Sequence, residues 1–251
     1  MTLVDAHFIK VYNASLSIHR ATHGAFDPTL SPLITAWGFG PGHTPTSDTL
    51  RIDSIKAFVG IENTVLENNV LTKGDKRIQF NFSAIAKGYG CDAIGEMLNR
   101  NGISDYLIEI GGEILAKGNN PENGKWRISI DRPVLSADNV IHESQEIIEI
   151  SNMGVATSGN YRNFHQQGGL RFGHTISAKT GRPIETDIIS ATVVAANAME
   201  ADGLATAFMA IGSEEVKKLN RELHLPIMLV LRDSSTWTSS EFSRLLPQIT
   251  H

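Results

Sequence analysis

Apolar positions recur along the chain at two spacings, and their alternation predicts a body in which strands and helices interleave. Leu3, Phe8, Val11, Tyr12 and Ile18 fall at helical spacing and predict a helix within residues 1–23, begun without a cap or a leading strand. The stretch Gly24-Ala-Phe-Asp-Pro-Thr-Leu-Ser-Pro-Leu33 and the run Trp37-Gly-Phe-Gly-Pro-Gly42 are crowded with turn formers and read as loops. A short helix is expected around 47–59. Residues 63–73 and 77–82 then suggest a hairpin turned at Lys73-Gly74-Asp75. Residues 84–101 read as a helix, and 106–110, 113–117, 126–131 and 146–151 as strands. Segments 155–164 and 173–177 precede a turn at Lys179-Thr-Gly-Arg-Pro183. The β-branched run 188–196 reads as a buried strand, followed by helices at 198–211 and 213–223 and a closing hairpin of 226–232 with 236–239. No repeat, low-complexity tract or linker interrupts this order, so the expectation is one compact α+β domain over residues 1–251.

Composition narrows the partners more than the fold. With 251 residues, 41% hydrophobic and 20% charged, the chain is long enough for a large core. A net charge of −5 without a basic stripe argues against nucleic acid as the main partner. Cys91 is the single cysteine, which excludes an intramolecular disulfide and a thiolate metal cage. No apolar run approaches the roughly 18 residues of a membrane span, and no signal peptide is visible.

The segment Met199-Glu-Ala-Asp-Gly-Leu-Ala-Thr-Ala-Phe208 carries the most informative chemistry. Asp202 and Thr206 stand four residues apart, which on a helix places both oxygens on one face beside Ala205. Such a pair suits a hard cation such as Mg²⁺. The same spacing also fits a capped or solvated Asp and a Thr bonded back to an i−4 carbonyl. In Asn81-Phe-Ser-Ala-Ile-Ala-Lys-Gly-Tyr-Gly90 the small residues Ala84, Ala86 and Gly88 would let a ligand approach the backbone. Lys87 there sits at a helix start, the end that disfavours cations, and makes electrostatic sense if an anion lies beside it. The Gly-Gly pair of Glu109-Ile-Gly-Gly-Glu113 allows either close approach or a simple bulge. Gly154-Val-Ala-Thr-Ser-Gly-Asn-Tyr-Arg162 offers hydroxyls to a polar ligand, Arg162 and Arg171 could steady phosphate, and His174 is the histidine best suited to act as a base.

In this order the segments resemble one family, the FAD:protein FMN transferases or ApbE-type flavin transferases. The matching motifs are Gly24 to Leu33 with Trp37-Gly-Phe-Gly40, Ser83-Ala-Ile-Ala-Lys-Gly-Tyr89 and Glu109-Ile-Gly-Gly-Glu113. They continue through Ala156-Thr-Ser-Gly-Asn-Tyr-Arg162, His174 to Pro183 and Ala201-Asp-Gly-Leu-Ala-Thr206, so the resemblance spans essentially the whole chain. It implies a T-fold-like α+β body that moves the FMN half of FAD, with Mg²⁺, onto a threonine hydroxyl of an acceptor flavoprotein subunit and releases AMP. It further implies Asp202, Thr206, Ala205 and the Ala84 carbonyl around the metal. Ala25, Phe26, Asp27, Asn81, Lys87 and Ile176 would lie at the flavin nucleotide, and His174 would be the base for the threonine. An FAD pyrophosphatase giving FMN and AMP, and a non-catalytic flavin-binding protein, are the alternative readings. The chain departs from the family where Asn81 replaces the usual Asp, and where Ser177-Ala178 replaces Asp-Pro after the His174 region. The family's N-terminal segment, with its export signal or lipoprotein anchor, is expected to be missing. A periplasmic or membrane-anchored location is therefore implied by resemblance alone.

Overall fold

The computed structural model describes residues 1–38, 49–132, 143–159, 164–167, 170–173 and 176–247. In chain order the elements are β1 (Thr2–Leu3), α1 (Ala6–Ala21), α2 (Ser31–Ala36), α3 (Thr49–Lys56), β2 (Thr64–Glu67), β3 (Val70–Lys73), α4 (Ala86–Arg100), β4 (Tyr106–Ile110), β5 (Glu113–Lys117) and β6 (Trp126–Arg132). They continue with β7 (Glu143–Ile150), β8 (Met153–Gly159), β9 (Phe164–Gln167), β10 (Leu170–Gly173), β11 (Ile188–Ala195), α5 (Ala198–Met209), α6 (Ser213–Leu223), β12 (Ile227–Leu231), β13 (Thr236–Thr238) and α7 (Ser240–Ser243). The expected α+β class holds. These elements fall into two units, Met1–Ile85 with Asn163–Glu185, and Ala86–Arg162 with Thr186–His251.

The first unit is built around α1, whose first turn is closed by Asp5 accepting from the Phe8 amide at 2.8 Å. The helix thus has a cap, and β1 leads into it by pairing with β3, contrary to the abrupt start expected. Tyr12 and Phe8 of α1 stack at 6.1 Å between centroids and meet Phe80 edge-on. The hairpin here is not the expected one: β2 and β3 both lie within 63–73 and turn at Asn68-Asn69, not at Lys73-Gly74-Asp75. Both asparagines have positive φ, 48° and 63°, the conformation a tight two-residue turn requires and asparagine tolerates. The loop reading of 24–33 also needs correction at its end, because Pro32 sits in the first turn of α2, where its missing N–H costs nothing. A separate cluster joins Leu30, Leu33, Ile52 and Ile176.

In the second unit a six-stranded antiparallel sheet runs β13-β12-β11-β8-β5-β4. Alternation along its strands divides the side chains between two faces. On one face Val155, Val194, Met228 and Val230 pack with Ile128, Ile130, Ile148 and Ile150 of the β6–β7 hairpin. On the other, Tyr106 and Ile108 of β4 pack with Cys91 of α4 and Ala198 of α5. β11 is buried almost throughout, as its β-branched run predicts. Gly111 and Gly112 form not a bulge but the two-residue turn between β4 and β5, with φ of 62° and 100°.

Candidate active site

The N-terminus of α5 is fixed before any ligand is considered. Its first three amide donors are each satisfied: Ala198 and Met199 donate to the two carboxylate oxygens of Asp92 on α4, both at 2.9 Å, and Glu200 donates to the cap residue Asn197 at 2.8 Å. Backbone contact is close on both sides. A Cβ added at Gly88 of α4 would lie 2.2 Å from the Ala198 carbonyl oxygen, and one at Gly154 of β8 would lie 2.2 Å from the Ala198 amide. The small residue at 88 therefore admits helix α5, a role the sequence reading of that position did not include.

This docking places Asp202. Its carboxylate is 3% exposed and accepts from the Gly88 amide at 3.0 Å, near the start of α4. Burial raises its carboxyl above the ordinary range, opposed by that hydrogen bond and by the Lys87 charge. Thr206, one turn later, lies with its hydroxyl 3.1 Å from that of Ser158 on β8, so it does not turn back to its own helix. Ala205 is fully buried between them in sequence. Lys87 has its anion, but the chain supplies it. The ammonium pairs with Glu113 at the start of β5, whose side chain is buried while that of Lys87 is 45% exposed. Burial raises the Glu113 carboxyl, Lys87 lowers it and the Asp202 charge raises it further.

The buried Asp202 carboxylate and the Thr206 and Ser158 hydroxyls thus stand where α5 meets β8 and the start of α4, while Glu113 of β5 faces Lys87 with its Oε2 buried and, among the described residues, without a partner. Hard oxygen donors with uncompensated negative charge fit a divalent cation such as Mg²⁺. The donor set fits no soft metal, since the nearby Cys91 sulfur is buried, donates to the Glu113 carbonyl and is pushed up to about 11 by burial.

Of the remaining expected residues, Ala25, Phe26, Asp27, Asn81, Ala84 and Ile176 belong to the first unit. Asn81 accepts from the Ser83 amide at 2.9 Å, and its own amide donates to the Pro28 carbonyl at 2.7 Å. Asp27 is engaged structurally: Oδ1 accepts from the Thr29 amide and hydroxyl at 2.8 and 2.6 Å, and Oδ2 from the Ile61 amide at 3.2 Å. The Phe26 carbonyl takes a 2.8 Å hydrogen bond from His19 Nδ1, and the Ala25 amide donates to the Thr22 carbonyl at 3.0 Å. Ile176 is buried and bridges to Pro183. Ala84 lies two residues before α4. His174 and residues 160–162 lie outside the described residues, and the Arg171 side chain is likewise not described.

Sequence reasoning missed Asp92 and did not single out Glu113 or Ser158. Asp92 was findable in part, because it follows Gly88 by four residues and so shares its helix face. Glu113 and Ser158 carry no local signal of their partners.

Comparison with known proteins identifies the family of the chain. The ApbE family model matches residues 1–229. A protein of Vibrio cholerae serotype O1 named FAD:protein FMN transferase is 36% identical over 248 residues, covering 97% of this chain and 73% of that protein. One of the same name from Escherichia coli K12 is 34% identical over 252 residues, covering 97% and 71%. Among solved structures, the flavin transferase ApbE from Vibrio cholerae superposes with a TM-score of 0.83 at 35% identity, covering 97% of this chain and 78% of that one. The apo form of the Pseudomonas stutzeri flavinyl transferase ApbE gives 0.86 at 31% identity, covering 99% and 78%. The fold, the ordered motifs and the extent of these matches lead to one conclusion: the chain belongs to the ApbE family.

Proposed function

We propose that the chain transfers the FMN half of FAD to a threonine hydroxyl of an acceptor protein and releases AMP. The observation that carries this is the Asp202–Thr206 face of α5, held against the start of α4 by Asp92 and the Gly88 amide, in a chain whose relatives bear the name FAD:protein FMN transferase. In the reaction the threonine oxygen bonds to the FMN phosphorus, and the bond from that phosphorus to the bridging oxygen breaks, so AMP leaves with that oxygen. Asp202 and Thr206, with Ala205 alongside and the Ala84 carbonyl, would hold Mg²⁺, which when bound neutralises charge growing on the phosphates. The Lys87 ammonium reads the same negative charge. His174 takes the threonine proton. The resemblance also assigns Ala25, Phe26, Asp27, Asn81 and Ile176, all of the first unit, to the flavin nucleotide, and Asp27 holds the shape of its own loop through Thr29 and Ile61. Residues 1–251 act as one transferase domain in this reading. A periplasmic or membrane-anchored location goes with it, although no described helix is long and apolar enough to cross a membrane.

The test is incubation with FAD, Mg²⁺ and a threonine-bearing acceptor peptide, followed by mass spectrometry. A peptide heavier by one FMN unit, with equimolar AMP, is the expected result. FMN and AMP with an unmodified peptide would replace transfer by pyrophosphate hydrolysis, and unchanged FAD in the bound state would leave a flavin-binding protein.

A further inference from the structure

The second unit contains a charged side chain that fold stability does not explain. Glu113 is buried, its Oε1 pairs with the Lys87 ammonium, and its Oε2 is buried without a partner among the described residues. Asp202 adds like charge from nearby, on the helix that docks beside Lys87 through the Gly88 amide. Burying a carboxylate with one oxygen unsatisfied costs more than a half-exposed lysine returns, and a neutral side chain of equal size would sit there more cheaply. The neighbourhood is nevertheless shaped around the pair. Gly111, in the left-handed region, passes so close to the Lys87 stem that a Cβ would stand 3.3 Å from its Cδ. The Cys91 thiol donates to the Glu113 carbonyl and holds the start of β5 against α4.

We propose that Glu113 is a positioning residue for the transfer reaction: it seats the Lys87 ammonium beside the Asp202 face, where the FAD pyrophosphate is read. Without that seat the long lysine side chain is free to turn into solvent, and charge must be gathered from many rotamers each time substrate binds. Glu113 itself touches no substrate. It acts through Lys87 alone.

The inference rests on the flavin-transfer reading for one of its two readouts, and the other is independent of it. The variants are Glu113→Gln, Lys87→Ala and the double variant, each with its thermal midpoint recorded. Glu113→Gln is expected to fold with an unchanged or higher midpoint and to bind FAD about tenfold more weakly. It should have no further effect in the Lys87→Ala background, because both changes remove the same interaction. Glu113→Met, which also keeps volume, serves in its place if the glutamine variant is unstable. Independently of FAD, acylation of the Lys87 amine by an N-hydroxysuccinimide ester, read by peptide mass spectrometry, should quicken severalfold in Glu113→Gln as the amine is released. Additive effects of the two substitutions on FAD affinity, or wild-type affinity in Glu113→Gln, overturn the proposal, as does an unchanged Lys87 acylation rate. If wild-type protein binds no FAD while Lys87 acylation still quickens, the seat stands and the flavin reading falls.

Discussion

The Gly88 amide donates to the Asp202 carboxylate across 114 positions of sequence, at 3.0 Å and with Asp202 only 3% exposed. One hydrogen bond thus fixes the candidate metal ligand to the helix start that carries Lys87. The side chain arrives at the site already oriented, which lowers the ordering cost of binding a cation there.

Asp202→Asn separates this structural task from the chemical one. The amide oxygen can still accept from Gly88, so the fold should persist, but a neutral ligand loses most of its hold on Mg²⁺. Metal assistance contributes several kcal/mol to such reactions, so turnover should fall roughly a hundredfold or more. Thr206→Val should lower the apparent Mg²⁺ affinity with a smaller loss at saturating metal. Full activity of both variants at limiting Mg²⁺ would remove the pair from the metal site.

Asp92 holds α5 from outside. Asp92→Ala leaves the Ala198 and Met199 amides without partners, at a cost of about 1–3 kcal/mol for each buried donor. Urea unfolding should show a markedly lower midpoint. Burial raises the Asp92 carboxyl above its ordinary range, outweighing the two amide bonds that lower it. A carboxyl raised on folding contributes stability that is complete below its unfolded pKa and is lost as pH rises through the folded value. The destabilisation by Asp92→Asn relative to wild type should therefore shrink as pH rises from below the ordinary aspartate range through the raised folded value. A gap that widens with pH would contradict the assignment.

Glycine positions along α4 should differ sharply. Gly88→Ala forces a Cβ to within 2.2 Å of the Ala198 backbone, which cannot give way without moving α5, and overpacking of this kind costs about 1–3 kcal/mol or more. Gly90→Ala meets only the terminal methyl of Ile110 at 3.0 Å, and the better helix propensity of alanine offsets that by up to about 1 kcal/mol. Thermal midpoints of the two variants should fall on opposite sides of a few degrees' loss. Activity should be lost with the first and kept with the second.

Cys91 should be inert in the folded chain. It is fully buried, and its thiol is pushed up to about 11, first by burial and then by the charge of Asp92. At pH 8 roughly one molecule in a thousand carries the thiolate that a disulfide reagent needs. Ellman's reagent should titrate no thiol in native protein and one per chain in urea. Rapid reaction in the native state would show that α4 opens readily from β5.

His174→Ala tests chemistry apart from binding. Loss of a general base should cut transfer by about 10²–10⁴-fold while FAD affinity changes little. Turnover per folded molecule that matches wild type would exclude the histidine from the mechanism.

What could be read from sequence alone was whatever depends on neighbours within a few residues. The helix expected over 198–211, which spans Ala198–Met209, and the shared face of Asp202 and Thr206 follow from a fixed rotation per residue, and both stand in the structure. The buried strand β11 and the hairpin turn at Gly111-Gly112 are local in the same sense, although the glycine pair was open to other readings. Local signals also misled where two were in competition. The Asn68-Asn69 turn lay inside a run read as one strand, and Asp5 caps a helix expected to begin uncapped. The partners of the site residues belong to tertiary structure. Nothing near Lys87 in sequence announces Glu113, nothing near Gly88 announces Ala198 or Asp202, and nothing near Thr206 announces Ser158. Those contacts exist because α4 and α5 pack side by side on one sheet, and the depth of that packing is set by two glycines without side chains and one aspartate that caps a neighbouring helix.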